Sequence, residues 1–152
     1  MKRKILIGLG IIIMLFVVIQ FIPKDLNQGK LVPSNNITKV YPMPGDVQMI
    51  LKNDCYDCHS NNTSYPFYAH IQPMRFMMDR HVRQGKDELN FDEFGTYSAR
   101  KKRSKLRAIS TSLDEGTMPL SSYLLIHGDA KLTPKDKILI KNWIRNASLA
   151  SN

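Results

Sequence analysis

Cysteine is nearly absent from this 152-residue chain: there are two, Cys55 and Cys58, and both fall within five residues. That scarcity excludes a disulfide framework, which needs several spaced pairs. It also excludes a four-cysteine zinc site, because no second pair exists. A C-x-x-C thiol redox pair would want a strand leading into the motif, and the residues before Cys55 read as helix. Acidic residues are outnumbered, 13 against 22 Lys and Arg, for a net charge of +9. Period-two alternation is missing over any strand-length run, so a sheet is not expected. Only one tryptophan is present.

What the chain does have is Cys55-Tyr56-Asp57-Cys58-His59. This is C-x-x-C-H, the attachment signature of a c-type haem. Two thiols separated by two residues can form thioethers with both haem vinyl groups, and the adjacent imidazole can bind iron from one face. One haem c, attached covalently at Cys55 and Cys58 with His59 as proximal ligand, is therefore the expected cofactor.

The N-terminus points to the same compartment. Lys2, Arg3 and Lys4 precede an apolar run over residues 5–22, broken only by Gly8, Gly10 and Gln20. Eighteen helical residues reach about 27 Å, close to the hydrocarbon thickness of a bilayer. Small residues at a cleavage site are missing after the run. Residues 1–22 are accordingly expected to form an uncleaved transmembrane anchor, cytoplasmic at its basic end. The remainder would face the extracytoplasmic (periplasmic) side of a single-pass cell-membrane protein, where haem is attached. A chain bearing an export anchor makes nucleic acid a poor partner for the positive charge. An acidic redox partner protein, or the membrane itself, suits it better.

Residues 23–44 hold Pro23, Pro33, Pro42, Pro44 and Gly29 and lack periodicity, so they read as a flexible linker. Residues 45–152 then form one small domain. Five helical segments are legible in it. Residues 46–53 deliver the chain to Cys55. Residues 73–84 place Met74, Met77, Met78, His81 and Val82 at helical spacing, with Gly85 as the expected stop. Asn90-Phe91-Asp92-Glu93 looks like a capping box opening a third segment. Residues 100–115 end at Gly116. Thr133-Pro134-Lys135-Asp136 is a helix start, with Leu139, Ile140, Trp143 and Ile144 on one face beyond it. The fold class is all-α: an N-terminal transmembrane helix plus a small cytochrome c-like helical haem domain.

The second axial position of the iron decides function. Met118, in Gly116-Thr117-Met118-Pro119, is the expected distal ligand, and His81 is the alternative; His70 and His127 rank lower. The order of motif, methionine loop and terminal amphipathic helix resembles class I cytochromes c. Met74, Met77, Met78, Tyr65, Phe67 and Phe76 are expected to wall the haem or fill the core. Pro66 or Pro73 is expected to offer a carbonyl to the second ring nitrogen of His59. Six of the eight residues from 100 to 107 are basic, which reads as a solvated helix face rather than a docking patch or a haem propionate contact.

Asp57-Cys58-His59-Ser60-Asn61-Asn62-Thr63, Tyr65-Pro66-Phe67, His81-Val82, Glu88-Leu89-Asn90-Phe91, Gly116-Thr117-Met118-Pro119-Leu120 and residues 123–127 together resemble the haem-binding domain family of small, membrane-anchored, c-type-cytochrome-like bacterial proteins. The resemblance implies covalent haem at Cys55, Cys58 and His59, and a haem-pocket role for His81. It implies no particular reaction. One-electron transfer, with the sixth iron position filled, is the expected function, so the chain reads as a carrier more than an enzyme. A peroxidase-like enzyme, with His81 and Arg75 or Arg80 beside an open site, and a redox or gas sensor are the alternatives.

Overall fold

The structure is a computed structural model, and it describes residues 1–23, 26–29 and 34–149. Among the described residues it is all-helical, with no strand. In chain order the helices are α1 (Lys2–Ile19), α2 (Ile37–Val40), α3 (Gly45–Asp54), α4 (Tyr56–His59), α5 (Met74–Glu88), α6 (Ala99–Glu115), α7 (Ser121–Leu124) and α8 (Pro134–Leu149). Turns of 3₁₀ helix cover Phe67–His70, Phe91–Thr96 and Gly128–Ala130.

The sequence explains the boundaries of the long helices. Ser98 accepts a hydrogen bond from the Lys101 amide and opens α6, and Gly116 closes it in the left-handed region at φ 66°. Only glycine adopts that conformation freely. At the start of α8, the amide of Thr133 donates to the Asp136 carboxylate while the Asp136 amide donates to the Thr133 hydroxyl. Two otherwise unpaired donors are satisfied reciprocally.

Helix α8 packs on α3 and on α6, and α4 packs on α5. The core so formed holds Val47 and Leu51 of α3, Leu106 and Leu113 of α6, and Ile140, Trp143, Ile144 and Ala147 of α8. The terminal helix therefore braces the helix that delivers the chain to Cys55.

The expected transmembrane anchor is corrected. Among the described residues no helix is long and apolar enough to cross a membrane. Helix α1 starts on its three cations and ends at Ile19. Its apolar part, residues 5–19, reaches about 22 Å at 1.5 Å per residue, against a hydrocarbon core of about 30 Å. Phe21 and Ile22, which lengthen the apolar run in the sequence, lie beyond the helix. There the Gln20 amide group bonds the backbone of Gln72, accepting from its N–H at 2.9 Å and donating to its carbonyl at 3.3 Å.

Parts of the expected linker make contacts with the domain; residues 24, 25 and 30–33 of it lie outside the described residues. Ile37 and Tyr41 belong to the core. Asn36 donates to the buried Asp92 carboxylate at 2.7 Å, and the Trp143 indole donates to the Pro42 carbonyl at 3.0 Å. Asn27 donates to the Ser60 carbonyl and the Thr63 hydroxyl. Such anchoring carries no periodicity, so composition alone reads these residues as loose.

Candidate functional site

Helix α3 ends at Asp54, and Cys55 opens the single turn α4 that carries Tyr56, Asp57, Cys58 and His59. Asp57 fixes this turn. Its carboxylate accepts from the Ser64 amide at 3.0 Å and from the Tyr123 hydroxyl at 3.0 Å, and its carbonyl accepts from Thr63 at 2.6 Å. The Tyr123 phenol is pushed well above its ordinary range by burial and by the Asp57 charge. Tyr123 in turn stacks on His127, which pairs with the Tyr68 hydroxyl at 2.9 Å.

His59 is held by α5. Its Nδ1 lies 2.9 Å from the Gly85 carbonyl and 3.0 Å from the Leu89 carbonyl. A carbonyl only accepts, so Nδ1 carries a proton, and in the neutral ring Nε2 is the nitrogen with the lone pair. The expected carbonyl from Pro66 or Pro73 is corrected to this pair. Gly85 has a second use there. A Cβ on it would sit 2.6 Å from the Cys58 carbonyl oxygen, so glycine is what lets α5 approach α4. It does not stop the helix, which runs on to Glu88.

A cavity of about 220 Å³ opens beside the motif. Cys55 and His59 line one part of it, and Met118 and Pro119 another. Leu51, Leu89, Phe91, Ile109, Leu113, Leu132 and Ile140 supply the apolar wall. Met118 is 38% exposed, so it sits at the cavity's edge with a face to solvent. Neither cysteine is disulfide-bonded. Burial, joined by the charges of Asp54 and Cys58, pushes the Cys55 thiol up to about 12. Burial and Asp57 push the Cys58 thiol up to about 11. Both therefore stay protonated at neutral pH, unlike the thiolates of redox enzymes or metal sites. Among the described residues there is no group of three or more His, Cys, Asp or Glu that could hold a metal ion.

Residues 14–146 match the family model of the haem-binding domain. The chain belongs to that family. No curated protein and no solved structure matches it.

The haem-binding domain presents groups that suit haem: two free thiols, an imidazole whose Nδ1 is already engaged, and a methionine on the same apolar cavity as that imidazole. The residues fit haem. Several expected pocket residues do not line this cavity. His81, half-buried on α5, does not line the cavity, nor do Met74, Met77, Met78, Tyr65, Arg75 or Arg80. Phe67 and Phe76 are 80% and 64% exposed, so they fill neither core nor pocket. The reason is which part of α5 reaches the site: its C-terminal end, through Gly85, Glu88 and Leu89, rather than its methionine face. Cys58 also lies outside the cavity lining, against Gly85. Gly85 and Lys105 are cavity-side residues to which the sequence alone gives other tasks, a helix stop and a place on a solvated face. The helix formers Lys86 and Glu88 after Gly85 are the one signal that this glycine lies inside a helix.

Proposed function

We propose that the chain carries one haem c, joined to Cys55 and Cys58, and works as a one-electron carrier on the extracytoplasmic side, with an acidic protein as its redox partner. Bound in the cavity, haem supplies a one-electron iron couple. The observation that carries the reading is the fixed tautomer of His59. With Nδ1 donating to two backbone carbonyls, Nε2 is the ring nitrogen free to bind iron, and the carbonyls raise its basicity. Met118, on the same cavity, serves as the distal ligand. A thioether there fills the position that a substrate would need, which favours a carrier over an enzyme. The hydrogen bonds of Asp57 and the brace of α8 on α3 hold the motif still, so oxidation and reduction require little movement of the chain.

The location rests on Lys2-Arg3-Lys4 followed by apolar residues, an arrangement that directs export, and on c-type attachment being a chemistry of that side. The acidic partner rests on the net charge of +9.

Stopped-flow mixing of the holo-protein with a one-electron dye and, separately, with peroxide tests the reading. Fast electron exchange and no peroxide adduct are expected. A ferric form that binds peroxide rapidly and turns over a reducing substrate would show an enzyme instead.

A further inference from the structure

Helix α6 turns one stripe toward the haem cavity: Lys105, Ala108, Ile109, Ser112 and Leu113. Their spacing, i, i+3, i+4, i+7 and i+8, is that of a single helical face. Four of the five are apolar or small. The first is a lysine. Its side chain is only 21% exposed. An ammonium drawn partly out of water calls for an anion. The carboxylate it meets is Glu88, at 3.4 Å and with 82% of its side chain exposed. A contact that long and that wet does little to offset the lost hydration. Among the described residues lining the cavity, Lys105 is the only Lys or Arg. The other cations of the run, Arg100, Lys101, Lys102, Arg103 and Arg107, do not line it; Lys101 instead lies over the Tyr97 ring, 4.0 Å from its centroid.

We propose that Lys105 forms an anion subsite of the cavity, and that the carboxylate it takes is a propionate of the bound haem. This rests on the haem reading of the same cavity. The basic run of α6 thus divides: Lys105 lines the cavity and the other five cations do not. Lys105 is a positioning residue. It anchors a carboxylate of the cofactor and leaves the iron to other groups. A positive charge held beside the site disfavours the more positive, oxidised state, so it also raises the midpoint potential.

The test uses the full-length holo-protein, with Lys105→Met and Lys105→Arg made alone and in a Glu88→Gln background. Redox titration reads the midpoint potential, and redox-difference infrared spectra read the carboxylate bands. Lys105→Met is expected to lower the potential and move a carboxylate band, by the same amounts with or without the Glu88 carboxylate. Lys105→Arg is expected to preserve both. An unchanged potential and spectrum in Lys105→Met would overturn the inference. So would a drop that vanishes in the Glu88→Gln background, because Lys105 would then serve Glu88 alone. A wild-type protein with no Soret band would instead overturn the haem reading, and this inference with it.

Discussion

The Nδ1 atom of His59 sits between two carbonyl oxygens, that of Gly85 in α5 and that of Leu89, which caps the helix, at 2.9 and 3.0 Å. Helix α5 thereby sets the tautomer and the ring orientation of the motif histidine from 26 and 30 residues away in sequence. The same glycine that offers the carbonyl also permits the approach, since a side chain there would strike the Cys58 carbonyl.

Gly85→Ala is the sharpest probe of that approach. A Cβ at 2.6 Å from a backbone oxygen forces α4 and α5 apart. Overpacking of this kind costs about 1–3 kcal/mol, well above the small gain alanine brings to a helix. Urea unfolding of the apo-protein is expected to show that loss, and the holo-protein a weakened His59–iron bond. Equal or greater stability in Gly85→Ala would mean that the two helices are not in contact there.

The buried thiols lead to a chemical expectation. With Cys55 at about 12 and Cys58 at about 11, few thiolates exist at pH 8. The higher intrinsic nucleophilicity of such thiolates recovers only part of the lost rate. Folded apo-protein is expected to react with iodoacetamide roughly tenfold or more slowly than the same protein in urea. Equal rates in the two states would show that the thiols are not shielded.

Much of this organisation is legible in the sequence, and the parts that are not share a cause. C-x-x-C-H is a local pattern whose chemistry needs only five residues. The start of α8 is equally local, because Thr133 and Asp136 satisfy each other's amides. The methionine loop reaches the cavity as its position after Gly116 implies. What escapes is contact between distant segments. Nothing in Gly85 itself tells a helix stop from a close approach, since both want a missing side chain. The docking of Asn36 on Asp92 and of Trp143 on Pro42 is invisible in a proline-rich stretch. The apolar run overstates the anchor because run and helix differ in extent: α1 starts on its cations and ends before Phe21.

The cap of α8 gives a pH dependence with a definite sign. Hydrogen bonds from the Thr133 hydroxyl and amide hold the Asp136 carboxyl below its ordinary value of 3.8. A carboxyl whose folded value is depressed stabilises the fold above its unfolded value and loses that contribution as pH falls through the folded one. Wild-type protein is therefore expected to exceed Asp136→Ala in urea midpoint at pH 7, with the gap narrowing as pH drops below about 3.8. The residue is only partly buried, so the effect is modest. A gap that widens toward pH 3 would contradict the cap.

The most direct measurement of the central claim is the ferric absorption and electron paramagnetic resonance spectrum of the holo-protein beside its Met118→Ala and His81→Ala variants. Met118 shares the cavity with His59, and His81 does not line it. A low-spin, six-coordinate wild type is expected, unchanged in His81→Ala and converted to high spin in Met118→Ala. A wild type that is already high-spin and five-coordinate, or a conversion produced by His81→Ala alone, would contradict the account.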